Sequence, residues 1–178
     1  VINYLIFGWN VRQVAIMHCN FCFSSFFIYL EGNYFKFFFF HNPPQNIFLN
    51  FYPHCYTQYQ FVHFTDMNRD YVDICKDVEK EWKSIDEKFN IPYFPHVSVG
   101  WDNNPRHKKF LDCVTKNNTP ENFKKCLLAV KEFCEKTGVN LITVNSWNEW
   151  TETSYLQPDN VYGYGYLEAV KEVFVDQK

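Results

Sequence analysis

The chain has 178 residues, of which 47% are hydrophobic, 21% aromatic and 21% charged, and its formal net charge is −3 at pH 7. This length suits one domain whose core needs neither metals nor disulfides. The nearly balanced charge gives no basic surface for nucleic acid, and no run of about 18 uncharged apolar residues predicts a membrane span. The high aromatic content excludes an intrinsically disordered chain.

The amino-acid composition changes near Phe64. Residues 1–64 contain 14 of the 20 phenylalanines but only three charged residues, which are Arg12, Glu31 and Lys36. The rest of the chain has the charged and apolar mixture of an ordinary folded domain. We therefore divide the chain into a Phe-rich, low-charge segment, residues 1–57, and a domain over residues 58–178.

Two interpretations of the segment 1–57 remain open. The phenylalanine run 37–40 follows neither the helical period nor the alternation of a half-exposed strand, whereas 2–7 and 24–30 are compatible with buried strands. The segment is either a gene-model artefact or a set of buried barrel strands. A signal peptide is not indicated, because the only early basic residue is Arg12.

The second region alternates helices with strands. Apolar residues at steps of three and four predict a helix over 69–89, and Thr119 with Pro120 predicts the start of another, which Gly138 ends. The other predicted elements are strands over 96–100 and 139–144 and a last helix from about Gly165.

This order of elements predicts a parallel sheet with right-handed crossovers. The loops that follow the strands are long and those that precede them are short, which is typical of an α/β barrel or of a doubly wound sheet. In both folds the site lies at the C-terminal ends of the strands. A complete barrel takes about 250 residues, so a barrel here would be incomplete or have a degenerate N-terminal part.

The loop after the second predicted strand carries the strongest chemical signal. Glu149 and Glu152 are three residues apart, and Trp147 and Trp150 flank the first of them. Partial desolvation by tryptophan favours a protonated carboxyl, which suits a general acid. Two carboxylates with aromatic platforms for sugar rings are the minimum for glycosidic bond cleavage. The alternative, two acids on a solvated helix face, is less favoured directly after a buried strand.

A longer motif around Glu149 resembles a known family. Residues 144–152, VNSWNEWTE, followed by YLQPD at 155–159 and YGYGYLEA at 162–169, resemble the C-terminal signature of the WbsX-like proteins. These are related to glycoside hydrolase family 99, the endo-α-mannosidases. IPYFPH at 91–96 and the Gly-Trp-Asp-Asn of 100–103 with Pro-Arg at 105–106 are similar to the same group's preceding strand and loop.

The resemblance covers about residues 58–176 and implies an α/β fold, the C-terminal portion of a (β/α)8 TIM-barrel-like domain, here an incomplete barrel. It implies a retaining endo-α-mannosidase-like glycoside hydrolase, with an oligosaccharide or polysaccharide glycan as partner and no metal or organic cofactor. Glu152 would be the acid/base, and Glu149 would assist the sugar 2-hydroxyl as internal nucleophile. Thr153 and Gln157 depart from the family pattern, which usually has Gly and commonly an acid there.

Polar and aromatic residues near the strand ends are the candidate substrate-binding residues. They are Tyr59, His63, Trp101, Asp102, Arg106, Asn145, Trp147, Asn148, Trp150 and Tyr155. Arg106 would orient a catalytic Glu or an acidic substituent, unless it is a surface arginine. His96 lies on a strand itself and is predicted to be a core histidine rather than a ligand.

Two other functions stay open: a non-catalytic carbohydrate-binding protein, and a glycosyltransferase in polysaccharide biosynthesis, against which the lack of a Gly-rich phosphate loop counts. The seven cysteines show no paired spacing, so a disulfide framework is not expected. The lone CxxC at Cys19 and Cys22 is a weak metal or redox motif. Reduced thiols slightly favour the cytoplasm over a secretory or surface-glycan pathway.

Overall fold

The structure, a computed structural model, describes residues 2–8, 15–19, 24–31, 34–41, 56–58, 60–90 and 92–176, with backbone alone before residue 57. The helices within these residues are α1 (Tyr71–Lys88), α2 (Pro120–Thr137) and α3 (Gly165–Phe174). The strands are β1 (Ile2–Gly8), β2 (Ala15–Cys19), β3 (Ser24–Glu31), β4 (Tyr34–His41), β5 (Tyr56–Thr57), β6 (Tyr93–Phe94), β7 (His96–Ser98), β8 (Leu141–Asn145), β9 (Asn148–Glu149) and β10 (Ser154–Tyr155).

Two strand–helix–strand units form the second region. α1 connects β5 to β6 and α2 connects β7 to β8, and the strands of each pair are parallel. β6 and β7 are separated by Pro95 alone, whose carbonyl accepts a hydrogen bond from Thr143 N at 3.1 Å. The mixed α/β class and the parallel pairing predicted for this region are confirmed.

The N-terminal strands pair differently from those of the second region. β1 is antiparallel to β8 on one side and to β2 on the other, so the larger sheet has the order β2-β1-β8-β7. β3 and β4 form a separate antiparallel pair. The stretches 2–7 and 24–30, which are compatible with strands by sequence, lie in β1 and β3. The phenylalanine run lies in β4, since aromatic side chains favour extended backbone.

Local sequence explains where the two long helices begin and end. The Asp70 carboxylate accepts from Val72 N at 2.9 Å and caps α1, and the Thr119 hydroxyl accepts from Asn122 N at 3.3 Å and caps α2. Pro120 occupies the first position of α2, and Gly138 ends it in the left-handed region at φ +74°. The predicted helices are confirmed, with ends within two residues of those expected.

The core lies between these helices and the strands β6 to β8. The Trp82 ring of α1 lies 5.9 Å from that of Phe133 on α2, and the Tyr93 ring lies 6.2 Å from the same phenylalanine. Ile142 and Val144 of β8 are fully buried. Burial of β8 along nearly all its length confirms the prediction from its apolar run and fixes the position of the loop that follows it.

No described helix is long and apolar enough to cross a membrane. Cys75, Cys113, Cys126 and Cys134 carry free thiols. The CxxC motif lies outside the residues whose side chains are described.

His96 is fully buried on β7, as predicted for a core histidine. Its Nδ1 lies 2.8 Å from the Thr143 hydroxyl and its Nε2 lies 3.2 Å from the Ser98 hydroxyl. Burial, with a smaller effect from His63, lowers the pKa of His96 from 6.5 to about 3. The imidazole is therefore neutral in the folded protein at pH 7.

His96 predicts a loss of stability in weak acid. Its pKa is lower in the folded chain than in the unfolded one, so the unfolded chain binds the extra proton between pH 6.5 and 3. The free energy of unfolding should fall by about 2 kcal/mol between pH 7 and pH 5 through this residue. Urea denaturation of wild type and His96→Gln measures it. The assignment to His96 would be contradicted if His96→Gln lost as much stability between pH 7 and pH 5 as wild type. It would also be contradicted if the exposed-site control His107→Gln no longer showed the loss.

Candidate active site

Three loops meet at the C-terminal ends of parallel strands. Gln60 follows β5, Arg106 follows β7, and Glu149 and Glu152 follow β8. Their side chains are joined by hydrogen bonds between loops that are far apart in sequence. This edge of the sheet is where α/β folds place their ligands.

The loop after β8 is a short hairpin pinned to the end of the strand. β9 pairs with β10, with Glu149 opposite Ser154, and a 3-10 turn at Trp150–Glu152 joins them. The Ser146 hydroxyl accepts from Glu149 N at 3.1 Å and donates to the Ser154 carbonyl at 2.7 Å. The hairpin therefore holds both glutamates at fixed positions above a buried strand.

The glutamates are the buried charges of this hairpin. Glu149 is 9% exposed and Glu152 is 6% exposed. Ionised side chains are almost never buried so deeply unless they are paired. Their partners come from all three loops.

Arg106 bridges the two carboxylates. Its Nη1 lies 2.5 Å from Glu152 Oε1 and its Nη2 lies 2.9 Å from Glu149 Oε1. Its Nε donates to the Thr151 hydroxyl at 2.8 Å, and that hydroxyl donates to Glu149 Oε1 at 2.6 Å. The planar guanidinium of Arg106 thus contacts both glutamates of the hairpin.

Gln60 contacts Glu152 from the opposite loop. Its Nε2 donates to Glu152 Oε2 at 2.7 Å in buried surroundings. Each oxygen of Glu152 therefore has its own donor, Arg106 on one and Gln60 on the other.

An aromatic pair borders the carboxylates. The Trp150 ring stacks on Tyr155 with centroids 3.9 Å apart and planes 21° apart, and Trp150 remains 44% exposed. Trp150 Nε1 donates to Gln157 Oε1 at 2.7 Å. Burial raises the pKa of Tyr155, with Asp159 acting in the same direction. Gln157, the second departure from the expected pattern, thus fixes the edge of an exposed indole.

The structure places the other predicted residues less directly. Trp101 and Trp147 are half-buried and pack against the core. Asp102 Oδ1 accepts from Asn104 N and Nδ2 at 2.9 and 2.7 Å, so this carboxylate shapes its own loop. Asn145 is fully buried; its Nδ2 lies 3.4 Å from the Ser154 hydroxyl, and no described residue hydrogen-bonds its Oδ1.

The structure describes two of the last three candidates. Asn148 is half-buried on β9, and His63 is exposed at the end of the turn Phe61–His63. Tyr59 lies outside the described residues. Gln60 and Thr151, which do contact the carboxylates, were not predicted. The only signal for Gln60 is its place directly after a strand.

No group of three or more His, Cys, Asp and Glu side chains able to hold a metal occurs in the part of the chain that the structure describes. The groups that donate hydrogen bonds to the two glutamates are a guanidinium, an amide and a hydroxyl.

The residues of the candidate site lie within a part of the chain that matches a known family. The family model described as "Glycosyltransferase WbsX" matches residues 39–170. The chain belongs to the WbsX family. The match begins within the Phe-rich segment and includes all three loops of the candidate site.

Two curated proteins are similar in sequence to this chain. The chain is 28% identical over 82 residues to "Uncharacterized protein WxcX" of Xanthomonas campestris pv. campestris strain B100, and equally so to the protein of that name in strain ATCC 33913. The match covers 44% of this chain and 12% of each relative. The chain thus spans a small part of the length of these relatives. No solved structure gives a significant match.

Thr153, the first departure from the pattern expected from the resemblance, adopts a left-handed backbone conformation at φ +51° and ψ +35°. A β-branched residue is disfavoured there by about 1–2 kcal/mol. Replacing Thr153 by glycine would remove this cost, but glycine loses more backbone entropy on folding, which offsets part of the gain in stability.

We predict that Thr153→Gly raises the free energy of unfolding by about 0.5–1 kcal/mol, as measured by urea denaturation at pH 7. Thr153→Ala is the matched control, since it keeps a Cβ and should give no comparable gain. Equal stability of Thr153→Gly and wild type would show that the turn tolerates threonine.

Proposed function

We propose that this chain carries the catalytic carboxylates of a glycan-active enzyme whose strands β5 to β8 are part of a (β/α)8 barrel. The observation that carries the proposal is the pair Glu149 and Glu152, bridged by Arg106 next to the exposed face of Trp150. Two carboxylates beside an aromatic platform suit a glycosidic bond, whose cleavage needs an acid, a base and a surface for the sugar ring. Membership of the WbsX family supports the same substrate class.

The proposed reaction is retaining cleavage of an α-mannoside-like glycan. Glu152 donates its proton to the glycosidic oxygen, and the C1–O bond of the leaving sugar breaks. Glu149 accepts the proton of the sugar 2-hydroxyl while O2 of that sugar bonds to C1, which gives a 1,2-anhydro sugar. Glu152 then takes a proton from water as the water oxygen attacks C1 and opens the ring, and Glu149 returns its proton to O2. Two inversions at C1 give net retention.

Arg106 has a defined part in this scheme. Two carboxylates in contact with one group would repel each other without a cation between them. A guanidinium stays charged throughout the cycle and binds two acceptors in one plane. It therefore holds Glu149 and Glu152 at a fixed separation while each gains and loses a proton.

Glycosyl transfer is the second candidate, because the family is described as a glycosyltransferase. The same two carboxylates serve this reaction if a sugar hydroxyl replaces water in the second half. The bond formed at C1 is then a new glycosidic bond, and the acceptor proton goes to Glu152. Product analysis with and without an added acceptor sugar separates the two reactions.

We predict that Glu149→Gln and Glu152→Gln each lower kcat for an α-mannosyl oligosaccharide by about 10²- to 10⁴-fold. The amide keeps the size of each side chain, so folding and glycan affinity should change little. Glycan hydrolysis, thermal unfolding and isothermal titration calorimetry measure the three properties. Glu121→Gln, at an exposed position on α2, is the matched control.

Each outcome of that experiment is informative. Unchanged hydrolysis in both variants would exclude these roles for Glu149 and Glu152. Glycan binding by wild type without hydrolysis or transfer over long incubation would favour a carbohydrate-binding protein. Activity that appears only with an activated donor sugar and an acceptor would favour the transferase.

The exposed indole predicts a separate effect on affinity. Trp150→Ala should weaken glycan binding by about 3- to 10-fold, since stacking of this kind contributes about 0.5–1.5 kcal/mol. Tyr164→Ala, which removes another exposed ring of the same region, is the control and should bind as wild type does. Titration calorimetry with the same oligosaccharide checks it, and equal affinities would remove Trp150 from the binding surface.

A further inference from the structure

We propose that Gln60 is a positioning residue for Glu152, and that it leaves Glu152 Oε1 as the oxygen that exchanges the proton with the glycan. The inference rests on the proposed function. Its starting point is the 2.7 Å hydrogen bond from Gln60 Nε2 to Glu152 Oε2, between side chains of residues 92 positions apart. Gln60 is 3% exposed, so water does not compete with this contact.

The backbone at Gln60 is a second, independent observation. Gln60 has φ +49° and ψ +133°, a conformation that side-chain-bearing residues rarely adopt. A residue in such a conformation is strained, and it persists only where its surroundings hold it in place. Strain of this kind at a residue that contacts a buried carboxylate is typical of a functional position.

The anchors on each side of Gln60 explain how the strain is maintained. Before it, the Thr57 hydroxyl lies 3.3 Å from the Thr143 hydroxyl of β8. After it, Phe61 N donates to the Ser98 hydroxyl of β7 at 3.1 Å, and the Phe61 ring is fully buried. Two neighbouring strands thus fix the chain around Gln60, and the Gln60 amide is directed at Glu152.

The surroundings of Glu152 assign a different role to each of its oxygens. Both oxygens accept a hydrogen bond from the protein, but the donor at Oε2 is the buried Gln60 amide, which closes that side to a glycan. A proton on Oε1 leaves Oε2 as an acceptor, and the Gln60 bond then persists whether Glu152 is protonated or ionised. Oε1 is on the side of Arg106, whose side chain is 39% exposed, and this is the side from which a glycan can approach.

The amide also adds a constraint that Arg106 alone does not supply. Arg106 is shared between two carboxylates, so it fixes their separation but not the rotation of the Glu152 carboxyl plane. A bond to the second oxygen fixes that rotation without adding charge. Transfer of a proton needs this alignment, because misplacement by about 1 Å can cost 10²-fold in rate.

The test compares Gln60→Met with Gln58→Met. Methionine is close to glutamine in size and lacks the N–H donor. Gln58 is a matched control two residues away, since its amide contacts Tyr93 and Glu81 rather than Glu152. The substrates are an α-mannosyl oligosaccharide, whose leaving oxygen needs a proton, and a dinitrophenyl α-mannoside, whose leaving group does not.

We expect Gln60→Met to lower kcat for the oligosaccharide by about 10- to 100-fold, with KM unchanged. For the dinitrophenyl glycoside we expect less than about a 3-fold loss in the glycosylation step, because that step no longer depends on general acid catalysis. Gln58→Met should match wild type on both substrates. Equal losses of Gln60→Met on both substrates would show a merely structural role and overturn the proposal.

Crystal structures of the two variants separate this inference from the proposed function. If wild type turns over neither substrate, the proposed function fails, but the Glu152 carboxyl plane should still rotate from its wild-type orientation in Gln60→Met and keep that orientation in Gln58→Met. An unchanged Glu152 in Gln60→Met would overturn the positioning role.

Discussion

The site depends on one guanidinium group that contacts two buried carboxylates. Glu149 and Glu152 lie on the same short turn, and like charges so close raise each other's free energy unless a cation lies between them. Arg106 supplies that cation from a loop more than 40 residues earlier. The hairpin after β8 can therefore keep its conformation only if the loop after β7 also holds a single conformation.

Local hydrogen bonds give that loop the order it needs. Asp102 Oδ1 accepts from the backbone and side chain of Asn104, and the Asn104 side chain both donates to the Leu111 carbonyl and accepts from Leu111 N. Arg106 stands two residues later, at the end of the turn Asn104–Arg106. The loop in this way holds the Arg106 side chain in position to contact both carboxylates. The side-chain entropy that would otherwise oppose these ion pairs is already lost when the loop itself folds.

Much of this could be predicted from local sequence, and the limits of that prediction have a physical basis. Caps at Asp70, Thr119 and Gly138 act within a few residues, so the helices follow from the sequence pattern. The loop after β8 could be recognised because its carboxylates and tryptophans are adjacent in the chain. Gln60 could not, because its contact spans 92 positions and β5 has only two residues.

Strand pairing shows the same limit. The residues of β1 are compatible with a strand by composition, but an apolar run does not encode which strand it pairs with or in which direction. β1 joins β8 antiparallel, whereas β7 joins β8 parallel through the crossover helix α2. The crossover is visible in sequence as a helix between two strands, and the antiparallel contact has no comparable signal.

In the proposed reaction, the choice between hydrolysis and transfer is determined by what reaches C1 after the first bond breaks. Glu152 has both oxygens engaged by protein donors in the structure, so a water or an acceptor hydroxyl must approach from the exposed side of Arg106. Trp150 and Tyr155 border the site with an apolar stacked face that favours a sugar ring over water. A second sugar ring seated there would place a hydroxyl, rather than bulk water, next to Glu152. The same two carboxylates would then form a glycosidic bond, and with that face empty they would cleave one.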